Sequence, residues 1–411
     1  MTHRVFITGI GAITPIGIGR EQLWKGALAG RRGVKALDRF DPSIYRSRVA
    51  GQVDEFDPAA FLDRRQSQRM ERFGQFSIAT ARMAFEDAAY TPSGDDEDFG
   101  IWIGSALGGA AYAEVQHNNF LERGVKGVHP MLALSVFPAA ACCNIAINFG
   151  IHGPTVSNSD SCAAGAVALG DAFHAVRSGI CRRALAGGVE IPLTPLIFGA
   201  FDVIKSMSQR NDDPATASRP FDAGRDGFVM AEASCLLLLE REEDVVARGV
   251  TPYAELCGYA LTNDGEHMAA PREDGREAMR AMIKALRDAG ITPDQIDHVN
   301  AHGSSTPLND ATESRAIRTV MGPAADKVIV SGIKGMMGHA LGATGSVEAA
   351  LCAMGLKDAV VVPTTNLQTP AEGCDLHYSP ATPTPLRQRY VLSNSFGFGG
   401  LNAALVLKNA A

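Results

Sequence analysis

Three features of the sequence predict an α/β fold built from two related halves. Apolar runs of strand type alternate with longer stretches of helical period. Most of the strand-like runs are continuously apolar, as expected for strands covered on both faces. The two halves also share a coarse order: a Gly-containing strand and turn, an internal helix that starts near a chemically capable residue, and a late Gly-rich hairpin.

In chain order, "RVFITGIG", "FGIWIGSA", "RALAGGVE" and "ASCLLLLE" read as strands of the first half. "QFSIATARMAFEDAAY" and "AAGAVALGDAFHAVRSG" read as its helices. A charged helix in "LLLLEREEDVVARGVTPYA" closes this half and sets a boundary near Tyr253, dividing the chain into 1–252 and 253–411. The second half repeats the theme. "AELCGYAL", "IDHVNAHG", "KVIVSGIKG", "VLSNSFGFGG" and "NAALVLKN" are its strands, and "GREAMRAMIKALRDAG" and "GATGSVEAALCAMGLKDA" are its helices. The first turn, Gly9-Ile10-Gly11-Ala12-Ile13-Thr14, lacks the third glycine of a dinucleotide fingerprint and is no nucleotide site on that basis.

Composition narrows the function classes. The chain has 411 residues, 46% hydrophobic and 20% charged, which fits a globular enzyme with a large core rather than a disordered chain. Its 43 glycines imply many tight turns and close backbone contacts. A net charge of -7 gives no bulk attraction to nucleic acid. The start "MTHRVFITGIGAITPIG" has the pattern of a strand and turn, not of a signal peptide, and no apolar run reaches membrane-spanning length. A cytoplasmic location without membrane or nucleic-acid partners is the resulting expectation.

The eight cysteines contain no Cys-x-x-Cys pair and have irregular spacing, so neither a zinc site nor a disulfide framework is expected. Most sit among apolar neighbours and read as small core residues. Cys162, in "SNSDSCAAGA", is placed differently: it stands where a helix of small residues begins. The free N–H groups and dipole of a helix N-terminus favour a thiolate and depress the pKa. A buried cap residue fits the same context, and both readings stay open here.

Two histidines stand at strand–loop junctions, where α/β folds place reactive groups. His302 lies in "VNAHGSSTPLND", and His339 follows Lys334 in "SGIKGMMGHALGATGSVE". Each alone is as compatible with a core or capping role. Together with Cys162 they form a set suited to a nucleophile and an oxyanion. In "NSFGFGGLNAALVL", Gly397, Gly399 and Gly400 allow close backbone approach, and Phe396 and Phe398 offer a movable apolar wall; an ordinary hairpin has the same pattern.

On these residues the sequence resembles the elongating β-ketoacyl-acyl carrier protein synthases of fatty-acid and polyketide assembly. The resemblance runs from "GIGAITPIG" to "GFGGLNAALVL" and includes "RNDDPATASRPFDAGRDGFVMAEA" and "NDGEHMAAP". It implies a thiolase-like five-layer αβαβα fold of two pseudo-symmetric halves, and a dimer, either of two copies or of this chain with a ketosynthase-like chain-length factor. It implies no tightly bound cofactor and no metal; substrates arrive on the phosphopantetheine of acyl carrier protein. By motif, Cys162 matches the acyl-accepting nucleophile, and His302 and His339 match the pair that assists malonyl decarboxylation. Lys334 and Glu348 match supporting charged residues. Phe398 matches the gating aromatic, whose N–H completes an oxyanion hole with that of Cys162. Thr306 and Asp310 fit the loop that orients His302, and Thr306 also fits a contact with the pantetheine arm. Leu107, Phe201 and "VHPMLALSVF" are candidates for the acyl pocket or the dimer contact. Arg64, Arg65, Arg69 and Arg72, on one expected helix, together with Lys205 and Arg210, are candidates for docking the acidic carrier; a solvated helix face is the plainer reading of the arginines.

The sequence departs from the family pattern at Gly335, Met337, Leu401, Ala231 and the polar Ser159-Asp160-Ser161. Acyl preference is where these departures bear, as in a specialised polyketide or polyene enzyme. A non-decarboxylating thiolase would carry a second cysteine in the C-terminal Gly-rich turn, and "FGFGGLN" has none. A non-catalytic chain-length partner typically lacks the active cysteine, and a cysteine hydrolase has no need of two histidines and a lysine.

Overall fold

The computed structural model describes residues 2–411. Its main sheet is built from β1 (Val5–Thr14), β2 (Phe99–Gly104), β3 (Thr155–Asn158), β4 (Arg183–Glu190) and β5 (Ala233–Arg241) of the first half. The second half supplies β6 (Ala254–Asn263), β7 (His298–Asn300), β8 (Ile329–Ser331), β9 (Tyr390–Gly397) and β10 (Leu401–Asn409). Each expected strand is present. From the middle outwards, the first half runs β1-β5-β4-β2-β3 and the second β6-β10-β9-β7-β8. The pairing senses match position by position: two antiparallel contacts, then two parallel ones. The repeat suspected from the sequence is thus a repeat of topology. The half-sheets are also joined, because Val5, Phe6 and Ile7 of β1 pair with Leu256, Glu255 and Ala254 of β6.

Five layers follow from which faces are apolar. In β5, Cys235, Leu237 and Leu239 face the central core while Leu236 and Leu238 face the outer one. In β10, Ala403, Leu405 and Leu407 face the central core, and Ala404 and Val406 face the other outer core. A strand buried on both faces needs apolar residues at every position, which is why these runs do not alternate. The helices Ala164–Ser178 and Thr344–Asp358 fill the centre between the half-sheets. Arg72–Asp87 and Arg276–Asp288 cover the outer faces.

The two central helices are rich in small residues because they meet at close range. A Cβ on Gly345 would lie 2.9 Å from Ala166 Cβ and 2.7 Å from Ser395 Oγ. Each helix is preceded by a 3-10 turn, Ser161–Ala163 in one half and Leu341–Ala343 in the other. Both turns contain a non-glycine residue at positive φ, Ser161 (52°) and Leu341 (39°). Pseudo-symmetry therefore places the Cys162 turn and the turn after His339 at equivalent ends of neighbouring helices.

The stretch "DRRQSQRMER" forms two elements rather than the single helix expected. Asp63 caps Arg64–Arg69 through a capping box with Gln66. Met70 is then extended, and Glu71 caps the next helix, Arg72–Asp87, by accepting from Gly74 N–H at 2.9 Å. No helix among the described residues is long and apolar enough to cross a membrane.

Candidate active site

Cys162, His302 and His339 line one cavity of about 380 Å³, 140 and 37 residues apart in sequence. Each reaches it from the loop after a strand's C-terminal end: β3 for Cys162, β7 for His302 and β8 for His339. The His302 and His339 rings meet edge to face with centroids 5.3 Å apart. Phe228, Phe396, Phe398 and Phe201 complete an apolar wall, and Phe398 stacks on Phe201 at 6.1 Å.

The Gly-rich turn approaches Cys162 as the glycines require. A Cβ on Gly397 would stand 3.1 Å from Cys162 N. The approach lets the Phe398 N–H face the Cys162 sulfur beside the N–H of Cys162 itself, and both favour the thiolate. The sequence expectation of a depressed thiol pKa is nevertheless reversed. Cys162 packs with Leu193, Phe198, Met207, Phe228 and Leu341, and this burial pushes the thiol up to about 12 against the pull of Lys334 and the Phe398 N–H. The sulfur rests as a thiol and needs a proton acceptor to react.

Both imidazoles are buried, and burial holds them well below their ordinary pKa; Lys334 pushes each further down. They are neutral at neutral pH. Lys334 is fully buried, with Nζ 2.7 Å from Glu348 Oε1 and 3.5 Å from His302 Nδ1, and it also donates to the His302 carbonyl. An ammonium can only donate, so His302 Nδ1 accepts and its proton sits on Nε2. His339 Nδ1 lies 2.9 Å from Thr344 Oγ1, while its buried Nε2 has no protein partner. Burial pushes Glu348 up to about 7, while Lys334 pulls it down.

Two family models match: the β-ketoacyl synthase N-terminal domain over residues 2–245 and the C-terminal domain over residues 253–368. The chain belongs to the β-ketoacyl synthase family. Among curated relatives, 3-oxoacyl-[acyl-carrier-protein] synthase 2 of Synechocystis sp. is 42% identical over 406 residues, 98% of each chain. Two solved structures cover 100% of both chains. One is a type II PKS acyl-carrier protein in complex with its ketosynthase bound to the hexaketide, at 33% identity and TM-score 0.93. The other is the ishigamide ketosynthase/chain length factor, at 31% identity and TM-score 0.94.

Within this β-ketoacyl synthase, the remaining sequence candidates separate. Thr306 lines the cavity and lies 2.8 Å from Ser304 Oγ. Asp310 does not touch His302; it accepts from Phe221 N–H at 2.8 Å and so braces the loop from behind. Glu313, missed in the sequence, holds His302 directly: its carboxylate accepts from the N–H groups of His302 and Gly303 at 2.8 and 2.9 Å. Its position three residues after Asp310, on the inner face of a helix that starts at Pro307, was the available signal. Leu107 packs in the apolar cluster around Cys162 without lining the cavity, whereas Phe201 lines it. In "VHPMLALSVF", Leu134, Val136 and Phe137 lie on an exposed face instead.

Arg72 is not available for docking. It grips the fully buried Glu232 with two hydrogen bonds of 2.9 Å and lies over the Phe76 ring at 4.5 Å. Arg210 is half-buried, and its guanidinium donates to the Gly224 carbonyl at 3.1 Å. Arg64, Arg65 and Arg69 are exposed, and Lys205 is exposed on the cavity rim. None of the family departures borders the cavity. Met337 and Leu401 join the central core, and Gly335 leaves no room for a side chain against Thr365, 2.6 Å from where its Cβ would be.

The electrostatics predict a pH signature. If the two histidines serve malonyl decarboxylation as neutral imidazoles, the rate should stay flat as pH falls through 6.5, the ordinary histidine value, and decline only well below it. Lys334→Met removes a cation that lowers both pKa values, so the acid limb should move to higher pH. Steady-state profiles from pH 5 to 8 (about that range) read the shift; coincident acid limbs would exclude this role for Lys334.

Proposed function

We propose that this protein is a β-ketoacyl-acyl carrier protein synthase that condenses malonyl-carrier with an acyl chain held on Cys162. The observation that carries this reading is the convergence, in one apolar cavity, of a buried thiol faced by two backbone N–H groups with two neutral imidazoles. In the first half-reaction the free Nε2 of His339 accepts the Cys162 proton and the sulfur attacks the acyl thioester. The N–H groups of Cys162 and Phe398 hold the oxyanion, and the proton leaves with the carrier thiol. In the second, the malonyl C–C bond breaks, carbon dioxide departs, and the electron pair forms an enolate. His302 Nε2–H donates to the enolate oxygen, with His339 beside it. The nucleophilic carbon then attacks the Cys162 thioester and breaks its C–S bond, and one proton from solvent restores the thiol. A non-decarboxylating thiolase reading lacks its second cysteine at the Phe398 turn.

The carrier-bound arm enters past Thr306 from the rim at Lys205, which supports acyl carrier protein as the substrate-bearing partner. Exposed Lys205, Arg64, Arg65 and Arg69 supply the positive charge for an acidic carrier on a chain of net charge -7. A homodimer is the assembly we favour. β3 is an edge strand with exposed Thr155 and Val156, Ile147 is exposed on the helix packed beside it, and Phe120, Leu121, Val125 and Leu134 of the same half are exposed as well. Such an edge invites isologous antiparallel pairing with a second copy.

Mass spectrometry after incubation with acyl-carrier should find the acyl adduct on Cys162; an adduct on another cysteine instead would sink the assignment. His302→Ala should lower decarboxylation by roughly 100-fold and reduce Cys162 acylation less, whereas His339→Ala should lower both, because it also removes the acceptor of the Cys162 proton. Lys205→Glu should raise the KM for the carrier substrate by about 10-fold with kcat nearly unchanged, and added salt should shrink the difference; an unchanged KM argues against docking there. Native mass spectrometry of the chain alone should give a dimer active in condensation. A monomer that condenses only beside a second, related chain would establish the heterodimer instead.

A further inference from the structure

Glu190, the last residue of β4, is fully buried and has no role in the reaction as written above. Its four hydrogen bonds come from two segments far apart in sequence. Oε1 accepts from Ser105 Oγ and Leu107 N–H, both at 3.1 Å. Oε2 accepts from Ala106 N–H at 2.6 Å and Gly342 N–H at 2.9 Å. Burying a carboxylate is costly without such donors. Here burial pushes Glu190 up to about 7 while the three N–H groups and Ser105 pull it down.

The two tethered segments flank the reacting groups. Leu107 packs in the apolar cluster around Cys162, and so does Leu341, which immediately precedes Gly342. Leu341 has φ 39°, a conformation that a leucine adopts only when its surroundings impose it. His339 lies two residues earlier on the same strand-to-helix connection. A bidentate anion that accepts from both segments holds the loop at Leu107 and the turn after His339 in one fixed relation. A glutamine here would aim an amide N–H₂ at one of the two donor pairs.

We infer that Glu190 is a positioning residue that locks the loop at Leu107, packed in the apolar cluster around Cys162, to the turn that follows His339, so that acyl-chain fit and malonyl decarboxylation are set together. The inference rests on the ketosynthase reading of the site. It acts through other residues and predicts a paired defect that general loss of stability does not produce.

The test uses E190Q, and S105A as a milder change that removes one donor to the same carboxylate. Decarboxylation of malonyl-carrier is measured in a Cys162→Ala background, where no acyl-enzyme forms. Acylation of Cys162 is measured in the otherwise native chain, with carriers bearing saturated acyl chains of graded length. E190Q should lower the decarboxylation kcat by roughly 10- to 100-fold with the KM for malonyl-carrier nearly unchanged. It should also flatten the dependence of acylation rate on chain length. S105A should move both readouts the same way by a smaller factor, and it decides the matter if E190Q does not fold. Unchanged decarboxylation, or a chain-length profile of unaltered shape, overturns the inference. If the Cys162→Ala parent itself does not decarboxylate malonyl-carrier, the ketosynthase reading fails instead.

Discussion

The close packing of two helices at the centre of the molecule constrains everything else. Ala164–Ser178 and Thr344–Asp358 each serve both half-sheets, and neither half could bury its inner strand faces without them. Their small residues bring the helices within a Cβ diameter of one another at Gly345 and Ala166. Because each helix starts at an equivalent turn, close packing also brings the two turns together. Cys162 stands on one, and His339 just before the other. The central core and the reactive set are consequences of the same contact.

Around that contact the charges are arranged to keep the imidazoles neutral. Lys334 is buried with Glu348 as its ionic partner, and its ammonium faces His302 from the core side. A buried cation is tolerable only when paired and hydrogen-bonded, which Glu348 and the His302 carbonyl accomplish. The same cation disfavours a second positive charge nearby, so the histidines remain donors and acceptors rather than imidazolium ions. Glu313 holds the His302 loop through the N–H groups of His302 and Gly303, and Asp310 ties it to Phe221 by accepting from Ser304 Oγ and Phe221 N–H.

Apolar packing sets the reactivity of the thiol as much as the helix N-terminus does. Leu193, Phe198, Met207 and Leu341 bury Cys162 at the cavity wall, and this raises its pKa. Low-dielectric surroundings also strengthen the two N–H groups that face the sulfur.

The sequence by itself determined the α/β class and the strands of both halves, and it singled out Cys162, His302 and His339 as candidates. Doubly buried strands such as "ASCLLLLE" can only be apolar throughout. Small residues after Cys162, and glycines around Phe398, are required wherever backbone must approach that closely. Spacing along the chain says nothing about how charges pair through space, and there the tertiary structure decided. It turned Arg72 inward onto Glu232, an interaction between residues 160 apart, and the break at Met70 separated it from the exposed arginines. It reversed the expected pKa of Cys162, because burial depends on Phe198, Met207 and Leu341 arriving from distant segments. It gave Glu190 and Glu313 their roles, since a carboxylate ending a strand or lining a helix acquires meaning only from the N–H groups that folding places against it.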